Sequence, residues 1–98
     1  MQNRISVDFN EMVSSDEVLL SRDDHATDRA GRRHALSEGI EVGIYSDDGT
    51  DFADGTPGVL IADGIVRRNT HSDWSAGVKW LLEIDERGIR HVRLEDVS

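Results

Sequence analysis

At 98 residues with a net charge of −9 and no cysteine, the chain has room for one domain with one core, and disulfides, thiolate metal sites and cysteine nucleophiles are excluded. Hydrophobic residues make up 37% and the only aromatics are Phe9, Tyr45, Phe52, Trp74 and Trp80, so a deep substrate cavity would compete directly with the core. The acid is concentrated in the front: thirteen acidic against five basic residues up to Pro57, then seven against six from Gly58 onward.

Ile5, Val7 and Phe9 alternate with Ser6, Asp8 and Asn10, the pattern of a half-buried strand. Glu11 to Glu17 is read as a helical turn capped by Ser14 or Ser15, ahead of the apolar run Val18-Leu19-Leu20. Arg22 to His34 holds nothing apolar larger than alanine and is expected to be an exposed excursion around Gly31. Leu36 to Gly39 turns the chain into Ile40, Val42 and Ile44, which point one way at period two. A loop from Ser46 to Pro57 follows. Gly58 to Asn69 then reads either as a hairpin turning at Asp63-Gly64 or as one long bent strand with a bulge there. After a loop over 70–77, Val78, Trp80, Leu82 and Ile84 share a face opposite Lys79 and Glu83. The turn Asp85 to Gly88 is expected to fold Ile89–Val97 back as a hairpin.

The sum is a mainly β protein of five to seven short antiparallel strands, whose edges are best hidden by closing into a small barrel. The order Glu38-Gly39-Ile40-Glu41-Val42, Gly58-Val59, Val78-Lys79-Trp80 and Val92-Arg93-Leu94-Glu95-Asp96-Val97 resembles small bacterial SH3-like barrels. The resemblance covers roughly residues 36–97, so 36–98 is taken as the barrel and 1–35 as an irregular extension packed on it. It implies a fold and no activity.

Four candidate features stand out. Asp47, Asp48, Asp51 and Asp54 offer oxygen ligands on a glycine-bearing loop, but the spacing is not that of a calcium-binding helix–loop–helix, and a solvated loop is the expectation. His25, His34, His71 and His91 lack metal-ligand spacing; no metal and no cofactor is expected. Trp74 lies in a polar loop, and in a barrel Tyr45, Phe52 and Trp74 beside Asp47 and Asp73 would line a groove for cationic or proline-rich ligands. The alternative is that Trp74 and Phe52 cover the barrel ends. Arg67-Arg68 and Arg90-His91-Arg93 are the basic clusters, expected to neutralise acids across the sheet.

No serine elbow, phosphate loop or placed carboxylate pair is present, so no enzymatic activity is expected. The leading expectation is an interaction module that binds a protein or peptide through its loop end. An acidic decoy for a nucleic-acid-binding protein and calcium or small-ligand binding at the Asp-rich loop are the alternatives. Direct nucleic-acid binding is disfavoured by the charge. With no apolar run of membrane-spanning length and a polar N-terminus, a cytoplasmic location without a membrane partner is the default. The acidic front and more basic rear leave self-association open.

Overall fold

The computed structural model describes residues 4–28, 30–47 and 50–96; Asp48 and Gly49 of the acidic loop and Val97 of the expected closure lie outside them. Among the described residues the elements are β1 (Ile5–Ser6), a 3-10 turn (Phe9–Glu11), β2 (Glu17–Ser21), β3 (His25–Thr27), β4 (Arg33–Ala35), β5 (Glu41–Ser46), β6 (Gly58–Arg68), β7 (Trp80–Ile84), β8 (Arg90–Arg93) and a second 3-10 turn (Leu94–Asp96). The protein is mainly β, with no helix of seven or more residues among the described residues.

One sheet runs β1-β5-β6-β7-β2, with β8 also on β6, and curls into a half-barrel. The path is open: β1 ends it on one side and β2 on the other. The separate β3–β4 hairpin lies between these ends, joined to β1 by the Ile5–Asp28 bridge and to β2 by the Ser21 hydroxyl donating to the His25 carbonyl at 2.6 Å. The first 35 residues, expected as an extension lying on a barrel, therefore supply both outer strands of the sheet. The pairing is also not wholly antiparallel, because β1 runs parallel to β5 with Ile5 opposite Ile44.

The scaffold is built on β6. It is continuous for 11 residues through Asp63-Gly64, so the long-strand reading holds. Its first half pairs β8 (Gly58 opposite Arg93), its second half pairs β7 (Arg68 opposite Trp80), and its other edge pairs β5. The hairpin expected between Val78–Ile84 and Ile89–Val97 does not form. β7 and β8 instead lie end to end along the same edge of β6, and Asp85–Ile89 loops out between them. Alternation gave β5 and β7, but the strand expected over Ile5–Phe9 stops at Ser6 and the excursion expected over Arg22–His34 holds β3 and the start of β4; alternation also carries no information on which strand each one pairs with.

Alternation also sorts the two faces. Ile44, Ala62, Val66, Trp80, Leu82 and Ile84 join Ile5, Val18 and Leu36 in the inner core, where Ile44, Val18, Val66 and Leu82 are fully dry. Ile40 and Val42 pack against it as expected. Trp80 is 7% exposed, and its indole N–H donates to Asp24 at 3.0 Å, which satisfies the polar end of an otherwise apolar ring. Val78 departs from its expected face: it packs with Leu19 and Leu81 in a smaller cluster on the outer side. The loop over 70–77 ends on this cluster, so β7 is covered on both faces at its start. A third cluster, Tyr45, Val59 and Ile61 with Val92 and Leu94, occupies the outer face at the far end.

Local chemistry explains two further differences. The turn expected over Glu11 to Glu17 forms earlier, because the Asp8 carboxylate accepts the Asn10 N–H at 2.9 Å and caps Phe9–Glu11. The excursion over Arg22 to His34 is organised by the buried Asp28, whose carboxylate accepts the N–H groups of Ala30 (2.8 Å) and Arg32 (2.9 Å) and lies 2.7 Å from His34 Nε2.

Candidate functional site

The five sequence-predicted site residues do not meet in one groove. Tyr45 is buried in the outer apolar cluster. Asp47 stands exposed in the turn after β5. The loop bearing Phe52 enters β6 at Gly58, whereas the loop bearing Asp73 and Trp74 leaves it after Arg68. Eleven residues of strand separate the two loops, about 33 Å from first to last at ~3.3 Å per residue.

At the first end Phe52 is a structural clasp. Its ring stacks on His91 at 4.4 Å between centroids with planes 1° apart, and the Arg93 guanidinium sits 4.6 Å from the ring centroid. His91 Nε2 donates to the Thr50 carbonyl at 2.6 Å, and Arg93 pairs with Asp54 at 3.2 Å. The Asp54 carboxyl is held below its ordinary range by the Thr56 hydroxyl first, then the Thr56 N–H, with Arg93 adding to them. Among the described residues no group of three His, Asp or Glu is placed to hold a metal ion.

At the other end Trp74 is 66% exposed on a loop that is tightly bonded. The Asp73 carboxylate accepts the Ser75 N–H (2.9 Å) and hydroxyl (2.7 Å), which hold its carboxyl below the usual range, the hydroxyl contributing most. The Asn69 side-chain amide donates to the Ser75 and Val78 carbonyls at 2.8 and 2.9 Å, while its oxygen accepts the His71 N–H at 2.9 Å. The indole is thus presented from a fixed frame rather than a slack one. Val78, where this loop ends, also lines a shallow hollow of about 240 Å³ with Glu11, Leu19, Leu20 and Arg22.

Between the two ends the outer face carries charge that sequence reading missed. Arg4 is only 4% exposed, and its guanidinium donates to the Ala62 carbonyl (2.8 Å) and the Ile44 carbonyl (3.3 Å) and pairs with Asp63 at 3.0 Å. Arg87 (3.3 Å) and Arg90 also reach Asp63, so three guanidinium groups share one carboxylate. Gly43 makes room for this hub, since a Cβ there would lie 2.8 Å from an Arg4 nitrogen and 2.9 Å from an Asp63 oxygen. The one signal in the sequence was an Asp-Gly pair interrupting an apolar strand, which reads equally well as a turn.

Beside the hub, β5, β6 and the Asp85–Ile89 loop frame a cleft of about 470 Å³ lined by Glu41, Val42, Gly43, Ile65, Asp85 and Arg87 among others. Strand register continues it: Glu41, Ile65, Glu83 and Glu17 lie opposite one another across β5, β6, β7 and β2. Glu83 and Glu17 are direct cross-strand partners, tempered by Arg67 at 3.7 Å and by His71 at 3.4 Å. Of the basic clusters, Arg90 pairs with Asp63 and Arg93 with Asp54 as expected, while Arg68 forms no ion pair among the described residues. Comparison with known proteins yields no matching family model, no similar curated protein and no similar solved structure.

Proposed function

We propose that this chain is a non-enzymatic interaction module on an SH3-like half-barrel, which binds a protein or peptide through the outer face and the loop that carries Trp74. The single observation behind this reading is Trp74 itself. A 66% exposed indole costs hydrophobic free energy wherever it faces water, yet its loop is held by five hydrogen bonds to Asn69 and Asp73 that keep it displayed. Tryptophan is among the residue types enriched where binding energy concentrates at protein interfaces. The reading narrows the expected groove to one of its five residues, because Tyr45 and Phe52 serve packing and Asp73 serves the loop.

Trp74→Ala is expected to abolish partner capture in a pull-down while the thermal melt stays cooperative and its midpoint moves by no more than about 4 °C, as for a surface substitution. Unchanged capture would overturn the reading. A second reading, the acidic decoy, is favoured by the register that brings Glu41, Glu83 and Glu17 onto one face, with Ile65 between Glu41 and Glu83. Under that reading duplex DNA would compete for the captured partner and binding would weaken steeply with salt.

A further inference from the structure

We propose that the outer face, along the row Glu41–Ile65–Glu83–Glu17, docks an extended basic segment of a partner protein. The inference rests on the reading of this chain as a binding module and names the chemistry of what it binds. Like charges directly opposite on adjacent strands destabilise a sheet, and local rules are broken most often where function requires it. Here Glu17 and Glu83 face each other, and no ion pair is formed by Glu41 among the described residues. Arg67 and His71 reach this row only at 3.7 and 3.4 Å and remain partly exposed themselves. The hub sets Arg4, Arg87 and Arg90 against Asp63 and Asp85, and among the described residues none of the three pairs with Glu41, Glu83 or Glu17, on a molecule of net −9.

The shape agrees with the charge. Four strands at ~4.8 Å spacing place Glu41 about 14 Å from Glu17, the reach of four or five extended residues. The cleft of about 470 Å³ at the Glu41 end takes a long side chain, and Ile65 in mid-row gives its aliphatic stem an apolar seat. At the other end His71 contacts Glu17, and Trp74 follows three residues later on the same loop. Its exposed ring offers a cation–π contact to a terminal arginine or lysine.

The test uses a synthetic peptide of alternating arginine and glycine, with an alternating glutamate and glycine peptide as control, titrated into isotope-labelled protein. Only two indole N–H signals exist, and that of Trp80, held by Asp24, is an internal reference. The arginine peptide is expected to shift the Trp74 indole and the Ile65 and Glu83 amides saturably. The triple variant Glu17→Gln, Glu41→Gln, Glu83→Gln should weaken that binding at least tenfold with an unchanged fold, and the glutamate peptide should do nothing. Absence of saturable shifts, or equal binding by the triple variant, would overturn the proposal. If the triple variant still captured a partner that Trp74→Ala lost, the binding module would stand and the basic segment would fall. Shifts along the row with a still Trp74 indole would uphold the basic segment and remove Trp74 as its anchor.

Discussion

Asp63→Asn is the most severe single-atom change the structure identifies. The substitution keeps volume and one acceptor but removes the negative charge that three arginines share. Arg87 and Arg90 are open enough to turn toward water, with side-chain exposures of 57% and 34%, while Arg4 at 4% is not. Its guanidinium is fixed under Gly43 and bonded to two strand carbonyls, so it would stay buried and uncompensated. Breaking a buried pair by removing one partner costs about 3–5 kcal/mol. The 18% exposure of the Asp63 side chain admits some water and places the expectation at the lower end, about 3 kcal/mol. For a domain of this size each kcal/mol moves the midpoint by roughly 4–8 °C, so calorimetry should show a fall of about 12–24 °C. Arg4→Met is the second arm of a double-mutant cycle. It strips a donor from the carbonyls of Ala62 and Ile44, and the coupling with Asp63→Asn should reach about 2 kcal/mol. A midpoint within about 3 °C of the parent, or a coupling below about 0.5 kcal/mol, would show that Arg4 is not held by this carboxylate.

Two shorter predictions follow from the loops. The Asp28 carboxyl is held below its ordinary 3.8 by the His34 hydrogen bond first and then by the N–H groups of Arg32 and Ala30. A group depressed in the folded state takes its proton more readily when unfolded, so its stabilisation is complete above pH ~4–5 and is lost as pH falls through the lowered value. Protection of the β3–β4 hairpin amides, taken against the intrinsic exchange rate at each pH, should fall over that acid window, and Asp28→Asn should flatten the dependence; protection that ignores pH there would contradict it. At Gly58 a new Cβ would collide with the Thr50 carbonyl and His91 Nε2. Gly58→Ala should therefore lift the Phe52 clasp off β8 and cost about 1–3 kcal/mol, visible as loss of the ring-current shift on His91. An unaltered His91 spectrum would mean that the clasp does not depend on this close approach.

What was legible in the sequence was alternation, and what was not was pairing. Ile40, Val42 and Ile44, like Trp80, Leu82 and Ile84, fell on the inner face because period two is a property of each strand alone. That β7 and β8 would follow one another along β6 is settled by β6 being long enough for both, and nothing within 78–97 records that length. The same limit hid the candidate site. Glu41 and Glu83 each read as an ordinary outward residue; only the register through Ile65 brings them and Glu17 into line. Arg4 and Asp63 lie 59 positions apart, and no local pattern links an arginine before a two-residue strand to an aspartate inside an apolar one. Trp74 was legible for a local reason: an aromatic among Asn69, Thr70, His71, Ser72, Asp73 and Ser75 has no apolar neighbour in sequence to bury it.

The two faces of the sheet therefore divide the work, and the division has a measurable consequence. The inner face is apolar from Ile44 to Leu82 and secures the fold. The outer face holds opposed glutamates that a sheet selected for stability alone would exchange. Glu83→Gln should raise stability rather than lower it. It removes a like-charge contact with Glu17 worth a few tenths of a kcal/mol and gives up an exposed pairing with Arg67 at 3.7 Å, which is worth little in water. The net expectation is a gain of up to about 0.5 kcal/mol, or a midpoint higher by roughly 2–4 °C, in low salt, shrinking as salt screens the pair. A destabilised Glu83→Gln would mean that Arg67 and Glu83 form a real bridge, and the row would then be ordinary surface rather than a face held ready for a basic ligand.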